Sequence, residues 1–271
     1  MASPPNPLDS YSPQPEYVPP TSAVPIKRKA DEDPPWTGWD ILVFIGITIG
    51  ASVVCEAIAA VAAKLLVYKD QPIVKVGQIP EVLLVAQLLS YVIVFAAMYL
   101  LVESRKERFW DAIGWRWSAQ WPAYLLGGAV LYFGLVGVGQ LLPIPKHLPI
   151  DRFFGDALEA TLMTVFAVSF APFMEELFFR GFLYPVLARR LGMFAGILLT
   201  AVAFGIVHGA QLKYSWAVLI IFLVGVALTT VRAVTKSVSA SFLMHVGYNG
   251  TLSLLMYVVT GGFRHLEKLS Q

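Results

Sequence analysis

The sequence predicts an all-α integral membrane protein, a bundle of seven to eight transmembrane helices with polar side chains gathered inside the membrane. Three observations carry this prediction. The composition is 57% hydrophobic and only 14% charged, with a mean hydropathy of +0.66, beyond the usual range of a water-soluble globule. Apolar runs recur along the chain at the length of about 20 residues that a hydrocarbon core of roughly 30 Å requires. The segments between them are too short to fold on their own.

The first run, ILVFIGITIGASVVCEAIAAVAAKLLV, covers residues 41–67, and the second, VLLVAQLLSYVIVFAAMYLLV, covers 82–102. Both read as spanning helices. Between the second and third lies RFWDAIGWRWSAQW, whose tryptophans and basic residues suit a headgroup interface. The third run is PAYLLGGAVLYFGLVGVGQLL, where the glycines permit close helix contact. A fourth extends over roughly 158–187. It contains Pro172, which removes a backbone donor and crowds the carbonyl four residues earlier, so two shorter helices and eight spans are the alternative. FAGILLTAVAFGIVHGA, SWAVLIIFLVGVALTTV and SASFLMHVGYNGTLSLLMYVV complete the series.

Residues 1–38 differ in character, being rich in Pro and Ser and poor in large apolar side chains, and are expected to form a disordered cytoplasmic tail. They lack the pattern of a cleaved secretory signal. Two amino-terminal helices over 39–118, a helical core over 119–262 and a short tail over 263–271 complete the expected organisation. Basic residues are more numerous in the alternate loops on the amino-terminal side, which favours a cytoplasmic amino terminus. The net charge of +2 says little about partners, and no nucleic-acid partner is expected. The single Cys55 can form no internal disulfide and reads as a small packing residue.

Within this apolar chain the stretch SFAPFMEELFFRGFLYPVLARR, residues 169–190, holds two adjacent carboxylates and an arginine. An ionised side chain at mid-membrane depth costs from about 3 to above 10 kcal/mol unless it is compensated. Glu176 and Arg180 stand four apart, acid first, and can pair on one helical face. Glu175 is rotated by about 100° from that face and needs a partner on another helix. His208 and His245 are the histidines inside the apolar runs. His208 shares a face with Phe204, and His245 with Asn249, beside Gly247 and Gly250. Three helices thus carry polar groups that can converge on one cavity. A carboxylate and an imidazole sharing a water make a general base, and an imidazole with an amide one turn away can donate to a developing oxyanion. Glu56, in the first run, has no motif around it.

EELFFR, FGIVH and HVGYN resemble, in order, the EExxxR, FxxxH and HxxxN motifs of the CPBP intramembrane proteases, which include type II CAAX prenyl endopeptidases and relatives linked to bacteriocin immunity. The resemblance covers roughly residues 120–260. It implies an active site inside the membrane in which Glu175 and His208 activate water and His245 and Asn249 form the oxyanion site. Glu176 and Arg180 would hold their helix in place, and Phe204 would shape the pocket.

The activity so implied is endoproteolysis of a membrane-associated protein or peptide, lipidated and CAAX-like in one branch of the family. The bilayer itself is the other partner. No cofactor is predicted. The set Glu175, His208 and His245 also has the composition of a zinc site, but the HExxH signature is absent and direct acid–base chemistry is favoured. The resemblance further implies a multi-pass protein of a bacterial plasma membrane. A non-catalytic scaffold or immunity factor of the same fold and an ion-coupled transporter are the alternative readings.

Overall fold

The computed structural model describes residues 34–269, and among these the chain is helical with no strand. Apolar helices follow in the order α1 (Gly38–Leu66), α2 (Pro80–Ser104), α3 (Trp121–Gly139), α4 (Ala157–Leu191), α5 (Met193–Val207), α6 (Ala217–Thr235) and α7 (Val238–Val259). All but α5 are long and apolar enough to cross a membrane. At 15 residues α5 extends about 22 Å, short of the hydrocarbon thickness. The multi-pass membrane architecture therefore stands, with six long helices and one short one. The outward faces agree with it: Trp39, Val53, Val54, Leu65 and Val92 are all exposed, as in a protein whose surface solvent is lipid.

The division at Pro172, and with it the eighth span, is not observed. Helix α4 runs on because a π-helical turn over Phe166–Phe170, closed by the Ala171 N–H on the Phe166 carbonyl, precedes the proline and takes its ring. A second π-helical stretch, Leu177–Leu183, precedes Pro185 in the same way and closes from Tyr184 N–H to the Phe179 carbonyl. Pro185 has no N–H to offer the preceding carbonyls. Two of them find side-chain donors from elsewhere: Arg232 Nε on the Arg180 carbonyl at 3.2 Å, and Trp36 Nε1 on the Phe182 carbonyl at 3.0 Å.

Trp36 is wholly buried, stacked on Phe182 at 4.3 Å and edge-on to Phe44. Arg189 donates to the Pro34 and Trp36 carbonyls and Arg105 to that of Pro35. The tail expected over 1–38 lies outside the described residues as far as 33, while its last residues are a strap fixed beneath α4. At the other end Phe263, expected in a tail, is buried edge-on to Tyr257.

Helices α1 and α2 form a hairpin whose contact is lined by small residues. Cys55, Ala59 and Ala60 pack on Val82 and Ala86, and Ser52 meets Ser90 at 3.3 Å. Cys55 is the packing residue its setting implied. Glu56 is exposed on the outer side of α1, away from the polar residues of α4. Helices α3 and α7 touch backbone to backbone: a Cβ on Gly128 would stand 2.1 Å from the Met244 carbonyl, and one on Gly247 2.2 Å from that of Leu125. Only glycine permits that approach. Gly250, by contrast, meets nothing closer than Val168 at 3.9 Å.

Between α2 and α3 the tryptophan-rich segment lies against the bundle. Trp115 packs on Phe173 of α4 and Phe242 of α7, with Trp110 beside it and Trp117 exposed. Of these rings, Phe173 lies just before Glu175 in sequence and Phe242 just before His245.

Candidate active site

Glu175 and Glu176 end the short α-helical turn Ala171–Glu176 that separates the two π-helical stretches of α4. Being consecutive, they project in different directions, and their environments diverge. Glu176 and Arg180 are wholly buried and joined by a 2.8 Å ion pair from Nη1 to Oε1. Arg180 also donates from Nε to Thr229 Oγ1 and from Nη2 to the Gly225 carbonyl, both at 3.2 Å, so α6 completes its coordination. Its guanidinium carbon sits 4.5 Å from the centre of the Phe204 ring. Paired charges in such a place lock one helix to another, because breaking the pair would leave a bare charge in an apolar interior.

Glu175 faces away from that pair and keeps 18% of its side chain exposed, as His208 keeps 16%. Its Oε1 lies 3.6 Å from His208 Nε2, and its Oε2 lies 3.8 Å from His245 Nε2. The partner on another helix that Glu175 required is therefore present twice, from α5 and from α7. His208 caps the carboxyl end of the short α5, and the early end of that helix is what brings an imidazole to the level of Glu175.

The remote ring nitrogens define the tautomers. His208 Nδ1 is 2.8 Å from the Phe204 carbonyl, which only accepts, so this nitrogen carries the proton. His245 Nδ1 is 3.0 Å from Glu176 Oε1 and donates likewise. In the neutral rings both Nε2 atoms then present lone pairs towards Glu175. At 3.6 and 3.8 Å these acceptors are too far apart for direct hydrogen bonds. They suit a donor with two protons between them.

Phe204 stands at the centre, its ring 4.7 Å from His208 and 5.9 Å from His245, with Phe179 edge-on behind it. Asn249 shares α7 with His245 but gives one amide proton to the Ala167 carbonyl, at 2.7 Å, in the first π-helical turn of α4. Six of the seven residues singled out in the sequence thus meet around one locus, and the seventh, Asn249, stands one turn along α7 from His245 with its amide on α4. Thr229 and the Gly225 carbonyl of α6 were missed, and so was the Ala167 carbonyl. Counting the five N–H donors of arginine against one carboxylate would have signalled that Arg180 needed further acceptors.

The two histidines have their second nitrogens on a carbonyl and a carboxylate, the partners that metal-bound imidazoles commonly take. Yet no group of three His, Cys, Asp or Glu side chains among the described residues is arranged to hold a metal ion. The donor chemistry suits zinc and the arrangement does not.

Residues 157–251 match the family model described as type II CAAX prenyl endopeptidase Rce1-like. The matched segment runs from the start of α4 into α7 and contains all three motifs. No curated protein and no solved structure matches the chain.

Proposed function

We propose that this chain, similar over residues 157–251 to the type II CAAX prenyl endopeptidase Rce1-like family, is an intramembrane endopeptidase that hydrolyses a peptide bond of a membrane-associated protein with water activated by Glu175 and His208. The observation that carries this reading is the convergence of two imidazole Nε2 atoms on Glu175, one near each carboxylate oxygen.

A water at that point gives one proton to Glu175 and turns the other to His208 Nε2. As its oxygen attacks the carbonyl carbon, Glu175 takes the first proton, and the carbonyl π pair moves onto oxygen. Collapse of this tetrahedral state breaks the C–N bond, and the proton held by Glu175 passes to the departing amine. His245 and Asn249 are assigned to the oxygen that becomes negative. Asn249 has one N–H left for this, and His245, whose Nδ1 proton goes to Glu176, donates from Nε2 only when its ring is protonated. Glu176, Arg180 and Thr229 hold the acid turn in register with α6 and α7.

A relay of the kind an ion-coupled transporter uses finds no support at Glu56, which faces outward from the bundle. The reading carries with it a cytoplasmic amino terminus, which the basic-residue bias favours, and a bacterial plasma membrane as the location.

The test is hydrolysis of a panel of lipidated and unlipidated peptides by the detergent-purified protein, beside Glu175→Gln and His208→Ala. Each variant is expected to lose on the order of 10²- to 10⁴-fold in rate, with the parent unaffected by a strong chelator. Loss on chelation and recovery with zinc would replace the acid–base scheme by a metal-assisted one. Specific binding of a peptide without cleavage would favour the scaffold reading.

A further inference from the structure

The hydrolysis proposed above leaves the oxyanion short of donors. Asn249 has committed one N–H to Ala167, and a neutral His245 presents a lone pair rather than a proton. Sites that stabilise a tetrahedral oxyanion supply preorganised donors, each worth on the order of 10²- to 10³-fold in rate. A further donor has to come from another wall of the locus.

Helix α2 provides one. The Tyr91 ring lies parallel to that of Phe166, 5.8 Å between centres and 11° between planes. Phe166 and Ala167 are neighbours in the first π-helical turn of α4, so Tyr91 from α2 and Asn249 from α7 grip one turn from two sides. The Tyr91 ring is also packed against the core cluster shared by α1, α2 and α4. Its orientation is thereby set by stacking and packing, while its hydroxyl has no hydrogen-bond partner among the described residues. A phenol held in this way is a rigid O–H donor with its apolar body buried and its polar tip uncommitted.

We propose that Tyr91 is a further catalytic residue, its phenol O–H donating a hydrogen bond to the carbonyl oxygen of the scissile peptide as negative charge develops there. The proton stays on the phenol throughout, so the balance of the hydrolytic step is unchanged. This assignment rests on the endopeptidase reading of the site. It brings α2, which lies outside the matched segment, into the active site. The oxyanion would then be met from two directions, by Tyr91 and Asn249, with the π-helical turn between them setting the spacing.

Tyr91→Phe tests this because it keeps the ring and its stack on Phe166 and removes only the hydroxyl. The full-length protein in detergent is assayed on a farnesylated quenched-fluorescence peptide, with Glu175→Gln in parallel. Binding of the same peptide is compared with that of its trifluoromethyl ketone, whose hydrate carries the tetrahedral oxygen. The expected result is a fall in kcat on the order of 10²-fold with KM nearly unchanged. Affinity for the ketone should fall in proportion, with that for the peptide and the thermal midpoint preserved. A Tyr91→Phe enzyme with parental kcat, or one altered in KM alone, overturns the assignment. If Glu175→Gln is inactive while Tyr91→Phe keeps the parental rate, only the role of Tyr91 falls. If Glu175→Gln also keeps the parental rate, the hydrolytic reading beneath it falls.

Discussion

Arg180 has five N–H donors and, deep in the bundle, must spend them on protein. Glu176 accepts one, Thr229 another and the Gly225 carbonyl a third. An Arg180→Lys protein has a single point of charge to offer these separated acceptors, so the conservative change is not conservative here. Arg180→Ala leaves Glu176 at full burial without its counter-charge, with only the His245 N–H beside it, and its thermal unfolding should reveal a loss of about 3–5 kcal/mol. Thr229→Val, nearly the same shape, is expected to cost only about 1 kcal/mol. The Glu176–Arg180 pair is legible in the sequence because four residues on a helix bring side chains together. The imidazole of His245 bridging towards both glutamates is not, since it depends on how α7 is rotated. Carbonyl acceptors such as those of Gly225 and Ala167 leave no trace in side-chain identity at all.

At the scale of elements, the path of α4 is set by its prolines and the wide turns that precede them. Pro172 suggested a break because a straight α-helix has no room for its ring; the π-helical turn supplies that room, and turn width has no residue code of its own. The carbonyls loosened around Pro185 are held by Arg232 and Trp36. Trp36→Phe retains an aromatic plug but strands the Phe182 carbonyl, and should cost about 1–3 kcal/mol in a detergent unfolding assay. Close helix contact through glycine was also legible, although which glycine makes it was not. Gly247→Ala forces α3 and α7 apart and is expected to lower both the unfolding midpoint and the activity. Gly134→Ala, with nothing within 4 Å of its new carbon, is the silent control for the same measurements.

For the whole molecule, lipid on the outside and charge on the inside follow from composition, and the number of helices follows from the apolar runs. The short span of α5 was hidden because its run continues beyond the helix end at Val207, through His208 into Gly209 and Ala210. Glu56 shows the converse, an acid on a spanning helix that the bundle does not enclose. In the peptide assay Glu56→Gln should act within about 2-fold of the parent, against the losses expected at Glu175.

The counter-groups of α4 are all made later than α4. Ribosomes deliver Glu175, Glu176 and Arg180 to the insertion machinery before Gly225, Thr229 and His245 exist, and an isolated helix with such charges enters lipid at a penalty of several kcal/mol. The nascent α4 is accordingly a poor stop signal that waits for the α6–α7 hairpin. Chains ending at Leu191 and fused to a glycosylation reporter should leave α4 mostly uninserted, whereas chains that extend beyond Val259 should secure it. A reporter showing α4 fully inserted in the shorter chain would mean that the Glu176–Arg180 pair suffices and that assembly has no required order.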